Sequence, residues 1–208
     1  MWMGMKKRKM YVDGKWIDSK SGEAITVFNP ANYEPIAQVP RGNSEDVNDA
    51  VEAARRTFES QQWRNVKPHE RGYILLEMAK RIRECKDELA RLETLDVGKP
   101  LSQSYADVEA AARYFEFYGG VADKIMGETI PVEPGILDYT IREPLGVTAH
   151  IIPWNYPIQI SSRSAAAAIA AGNAVVMKPA EDAPLTTLKL AEFFDELNLP
   201  NGIFNVVT

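Results

Sequence analysis

Four residues in the last third of the chain have the types and spacing to do chemistry. Lys178 and Glu181 stand three apart in "KPAE", after the β-prone run "AVVMK". A carboxylate at such a strand end can accept both hydroxyls of a ribose, and a neighbouring lysine supplies donors to the same sugar. The same carboxylate would repel a 2′-phosphate, which favours NAD over NADP. Trp154 and Asn155 lie in "HIIPWNYP", residues 150–157, after a second β-prone run, "GVTAHII". An asparagine amide offers two N–H donors. Held rigidly between Trp154 and Pro157, Asn155 could face an oxygen that becomes negative in a transition state. Position alone also allows plainer roles: Lys178 and Glu181 as a surface ion pair, Asn155 as a helix N-cap, Trp154 as core.

Other chemistries find little support. Cys85, in "RIRECKDELA", falls on the apolar stripe of a helix, where a buried thiol packs and stays inert. His69 and His150 are the only two histidines, too few and too far apart to suggest a metal site. The sequence has no G-x-S-x-G elbow, no G-x-G-x-x-G and no P-loop. A net charge of −5 argues against nucleic acid as the main partner. One cysteine excludes an internal disulfide and fits a reducing, cytoplasmic setting. No apolar run approaches the ~20 residues that cross a bilayer, and the first sixteen residues lack the apolar stretch of a secretory signal. With 208 residues, 45% hydrophobic and 25% charged, the chain has the composition of a soluble globular protein.

The elements that must position these residues read as follows. Asp13-Gly14 between β-prone runs predicts a hairpin, and "AITVFNP" and "PIAQVP" predict two more strands. Ser44 is expected to cap a helix carrying Val47, Val51, Ala54 and Phe58 on its apolar side. Pro68 opens a second helix, whose stripe of Leu75, Ala79, Ile82, Cys85, Leu89 and Leu92 runs on to Gly98 and Pro100. Ser102 opens a third. "LDYTIREP" alternates like an exposed strand. The rhythm then becomes strand, helix (about 157–171), strand, helix (about 184–197), strand ("IFNVV"), which predicts a parallel βαβαβ sheet. The "PWN" and "KPAE" turns follow successive strands and should face one crevice. The sheet reads as incomplete, with an exposed edge at "IFNVV".

In order and spacing, "REPLGVTAHIIPWNYPIQ", "AAGNAVVMKPAEDAPLT" and "LPNGIFNVV" resemble the NAD(P)-dependent aldehyde dehydrogenase superfamily. "FNPAN", "SEDVNDAV" and "LETLDVGKP" agree, so the resemblance covers nearly the whole chain. "WNYP" and "LETLDVGKP" look closest to the betaine-aldehyde and amino-aldehyde branch. The resemblance implies an α/β fold: the N-terminal part of a modified Rossmann domain. Residues 1–136 would be the hairpin and helical layer of the cofactor domain. Residues 137–145 would be a strand of an oligomerisation arm, and 146–208 the start of the NAD-binding sheet. It implies NAD contacts through Ile151, Ile152, Pro153, Trp154, Asn155, Lys178, Pro179, Ala180 and Glu181. Asn155 would also be the oxyanion donor for a cysteine thiohemiacetal, a role in which one donor contributes about 3–4 kcal/mol.

It further implies a small aldehyde as substrate and a homo-oligomer. Relatives of the betaine type can hold a monovalent cation near "FNP", but no residue here demands a metal. The family's catalytic cysteine, glutamate base and pyrophosphate loop fall later than Thr208. Arg163 stands where relatives often have lysine, and Ala166 near where they have proline. Two readings follow: the front of an aldehyde-oxidising enzyme, inactive by itself, or a short non-catalytic relative that binds a nucleotide or a partner.

Overall fold

The computed structural model describes residues 6–197 and 199–208. The Asp13-Gly14 hairpin is present, joining β2 (Met10–Val12) to β3 (Lys15–Ile17). Asp13 and Gly14 both take positive φ, 54° and 70°, the combination that matches a two-residue turn to strand twist. β4 (Ala24–Asn29) and β5 (Glu34–Pro40) pair antiparallel, and β1 (Lys6–Lys7) joins β5.

The helices hold three corrections. The cap of α1 (Ser44–Glu59) is Asn43, one residue before the expected Ser44. Asn43 Oδ1 accepts from the Glu45 and Asp46 amides, and the Asn43 amide donates back to Asp46 Oδ2. The buried side of α1 is Ala50, Ala53, Ala54 and Thr57, while Val47 is exposed. Small side chains let this helix approach the sheet closely. The long apolar stripe belongs to two helices, α3 (Pro68–Glu84) and α4 (Lys86–Val97), which follow the short α2 (Gln61–Arg64). Cys85 is the break between them, at φ −98° and ψ 17°. Asp87 and Glu88 in the first turn of α4 favour a fresh helix start there.

α5 (Leu101–Val121) crosses α3 where Gly72 meets Gly119; a Cβ on Gly72 would lie 2.7 Å from the Gly119 carbonyl oxygen. The chain then runs through a short 3₁₀ turn to an exposed hairpin. Its strands, β6 (Thr129–Ile130) and β7 (Asp138–Tyr139), have two residues each. The strand expected over 137–145 is thus present at two positions only; beyond it the Thr140 amide still donates to the Glu128 carbonyl at 2.9 Å, and the chain then leaves the pairing.

β8 (Val147–Ile152), α6 (Pro157–Ala170), β9 (Ala174–Pro179), α7 (Leu185–Glu196) and β10 (Phe204–Val206) form the expected parallel βαβαβ unit. The sheet order is β3-β2-β10-β9-β8. The edge expected to lie bare at β10 is therefore covered, since β2 pairs antiparallel with it at Val206 and Tyr11. Side chains fasten the hairpin. Tyr11 Oη and Trp16 Nε1 donate to the two oxygens of Asp195 on α7, each at 3.0 Å, and the Asp13 amide donates to Asn205 Oδ1 at 3.0 Å. The edges of this sheet are instead β3 and β8, whose strand partners among the described residues are β2 and β9. The core lies between the sheet and its helices, around Ile158, Ile169, Val175, Met177, Leu188, Phe194 and Phe204.

Candidate functional site

Parallel strands with helical crossovers place their outgoing turns at one end of the sheet. β8 and β9 are in direct register, with Ile151 opposite Lys178 and Ile152 opposite Pro179. The "PWN" and "KPAE" turns therefore leave the sheet side by side, as the sequence predicts. Ile152 is buried beneath them, whereas Ile151 is 82% exposed and Trp154 62% exposed. Trp154 is not core.

Asn155 is exposed as well. The N-cap of α6 is Tyr156, and no side chain caps that helix. Pro157 at its first position has no amide to satisfy. The Asn155 amide makes no hydrogen bond among the described residues, so its donors stand free at the end of β8. The capping role that position alone suggested for it is excluded.

Lys178 and Glu181 do form an ion pair. Lys178 Nζ donates to Glu181 Oε1 at 2.9 Å and to the Pro179 carbonyl at 3.0 Å. That hydrogen bond from Lys178 holds the Glu181 carboxyl below its ordinary value. The glutamate side chain is 60% exposed, so it stays ionised and open to a ligand. Ala180 lies between them, half-buried. The donor set suits a nucleoside: a fixed carboxylate for a diol, an ammonium beside it, and an apolar strand end. The turns lack the glycine cradle that wraps phosphates.

Beside Trp154 opens a cavity of about 450 Å³ whose lining includes Val27, Phe28, Tyr33, Asp96 and Asp182. Asp96 is buried; its Oδ2 accepts the Leu185 amide at 2.8 Å and its Oδ1 has no partner. Burial pushes its carboxyl well above the usual range. Among the described residues, no three His, Cys, Asp or Glu side chains converge as a metal site.

The remaining candidates lie elsewhere. Cys85 is half-buried at the α3–α4 break, where burial raises its thiol above the ordinary value. His150 is tied to Thr148 Oγ1 at 2.9 Å, and burial lowers its pKa. Arg163 faces solvent from α6. The sequence reading missed Lys99, Asp107 and Gln159, which meet under the Asn155 turn. The one available signal was the four-residue spacing of Gln103 and Asp107 on α5, now seen as a 2.8 Å hydrogen bond.

Residues 16–208 match the aldehyde dehydrogenase family. The chain is 44% identical to the betaine aldehyde dehydrogenase of Bacillus subtilis over 200 residues, covering 95% of this chain and 41% of that protein. It is also 44% identical to the hydroxyisobutyraldehyde dehydrogenase of Mycolicibacterium austroafricanum over 199 residues, covering 96% of this chain and 39% of the relative. An aldehyde dehydrogenase of Bacillus cereus solved as its NAD⁺ complex superposes with a TM-score of 0.94 at 39% identity, over 97% of this chain and 41% of the other. The chain thus spans about two-fifths of the length of the relatives it matches.

Proposed function

The chain belongs to the aldehyde dehydrogenase family, and from that premise we propose that it supplies the NAD-binding front of an enzyme that oxidises an aldehyde to a carboxylic acid. One observation carries the reading: the free Asn155 amide and the Lys178–Glu181 pair emerge together from two registered parallel strands. Bound NAD would supply the hydride acceptor.

The chain's own residues then have defined tasks. Glu181 accepts the adenosine ribose hydroxyls and disfavours a 2′-phosphate. Lys178 orients Glu181 and donates to the same sugar. The strand end from Ile151 to Trp154, with Pro179 and Ala180 opposite, forms an apolar wall against the cofactor. Asn155 donates to the aldehyde oxygen as it becomes negative under attack by a cysteine supplied outside this chain. Asn155 makes no hydrogen bond among the described residues, so its donors are open to that charge without a bond being broken first.

Two relatives named for unlike aldehydes match at the same 44% identity, so this architecture is compatible with more than one aldehyde. The exposed β6–β7 hairpin, with Leu137 and Tyr139 at 75% and 60% exposure, would serve as the oligomerisation arm of a homo-oligomer. The single cysteine fits a reducing compartment. The test is NADH formation from an aldehyde by the polypeptide that carries this chain. Asn155→Ala should lower kcat by a factor of about 10²–10³; an unchanged kcat overturns the role of Asn155.

A further inference from the structure

The groups that hold the Asn155 turn are not on the turn. Lys99 sits in the link between α4 and α5, directly after Gly98. Gly98 ends α4 in the left-handed region at φ 79° and packs on Pro30. The Lys99 ammonium is 3.1 Å from Glu93 Oε1 and 2.6 Å from Asp107 Oδ2, and both carboxylates are fully buried. It also lies 4.4 Å from the centre of the Tyr156 ring. Asp107 Oδ1 accepts from Gln159 Nε2 at 2.7 Å. Glu93 Oε2 accepts from Thr186 Oγ1 at 2.8 Å. One ammonium thereby links α4, α5 and the first turns of α6 and α7.

Tyr156 and Gln159 flank the first turn of α6, and Asn155 is the residue immediately before it. α6 has no side-chain cap; its first turn is held by the buried Pro157 and Ile158 and, on its polar side, by these two attachments. We propose that Lys99 is a positioning residue for the Asn155 amide. It holds Tyr156 through the ring face and Gln159 through Asp107, and so sets the direction in which Asn155 points. The inference rests on Asn155 being the oxyanion donor. The Lys99 side chain is 10% exposed and its ammonium is taken up by Glu93 and Asp107, which suits a structural part.

Gln159→Met tests this without unpairing Lys99, because Asp107 keeps its bonds to Lys99 and Gln103. The Ile160 amide, which donates to the Tyr156 carbonyl at 3.0 Å, closes the first turn of α6. In the variant its hydrogen exchange, read by NMR, should quicken by about tenfold while the thermal midpoint holds. In the active enzyme kcat should fall by about tenfold with KM for NAD unchanged. Placed on an Asn155→Ala background, Gln159→Met should cost no further kcat. Lys99→Met should show the same exchange and kcat changes more strongly, with a lowered thermal midpoint because it unpairs two buried carboxylates. Unchanged Ile160 exchange, or an equal loss of kcat in both backgrounds, overturns the positioning role. Failure of Asn155→Ala alone to lower kcat would instead strike the oxyanion assignment, leaving the exchange result to judge the clamp.

Discussion

Among the chain's lysine–carboxylate pairs, two near the β8 and β9 strand ends use the same chemistry in opposite surroundings. Lys178 and Glu181 are 2.9 Å apart with side chains 41% and 60% exposed. Lys99 and Asp107 are 2.6 Å apart with side chains 10% and 0% exposed. Water screens the first pair, so it adds little to stability and leaves Glu181 free to meet a ligand. The second pair has lost its water and survives because Gln103 and Gln159 complete the coordination of Asp107. An ion pair at a strand end can recognise; an ion pair beneath it can only hold.

Substitutions can break that contrast. The largest effect should come from Lys99→Met, which strands two buried carboxylates and should destabilise the fold by about 3–5 kcal/mol in urea titration. A loss under about 1 kcal/mol would place this pair with the exposed one.

Tyr11 is an intermediate case, a buried phenol bonded to Asp195 at 3.0 Å. Tyr11→Phe should cost about 1 kcal/mol. Burial, the Asp195 hydrogen bond and the Asp195 charge push this phenol above its ordinary value of 10.0. An unfolded tyrosine releases its proton near that value, while the folded one keeps it. The Tyr11 contribution is thus complete below pH 10 and lost as pH rises beyond it. Thermal melts at rising alkaline pH should show a smaller loss in Tyr11→Phe than in the parent.

The smallest stability effect belongs to Glu181→Gln, within about 0.5 kcal/mol of the parent. A larger loss would erase the contrast from the other side. The Glu181 carboxyl lies below the ordinary glutamate value of 4.5. The part of NAD affinity that it carries should therefore be flat from neutral pH down to that value and fall only on further acidification, as read by calorimetry.

Much of the fold was legible because its signals are local. Asp13-Gly14 dictates a hairpin by backbone conformation, and apolar runs alternating with helical stripes dictate βαβαβ. The turns "PWN" and "KPAE" were found because each follows such a run. Pairings made at long range were not legible. Nothing near "IFNVV" tells that a hairpin nearly two hundred positions earlier covers its edge through Tyr11 and Val206. The break at Cys85 was hidden because the apolar stripe continues through it. Lys99 was hidden because a lysine beside Gly98 and Pro100 looks like surface loop, and only packing brings Asp107, Glu93 and Tyr156 around it.

The central claim is that the paired strand ends of β8 and β9 form a nucleotide site. Calorimetric titration of NAD into the parent and into Glu181→Ala tests it most directly. The account predicts saturable binding by the parent, weaker binding of NADP, and loss of NAD binding in the variant with its thermal midpoint unchanged. Equal NAD affinity in both proteins, or no binding by the parent, would contradict it.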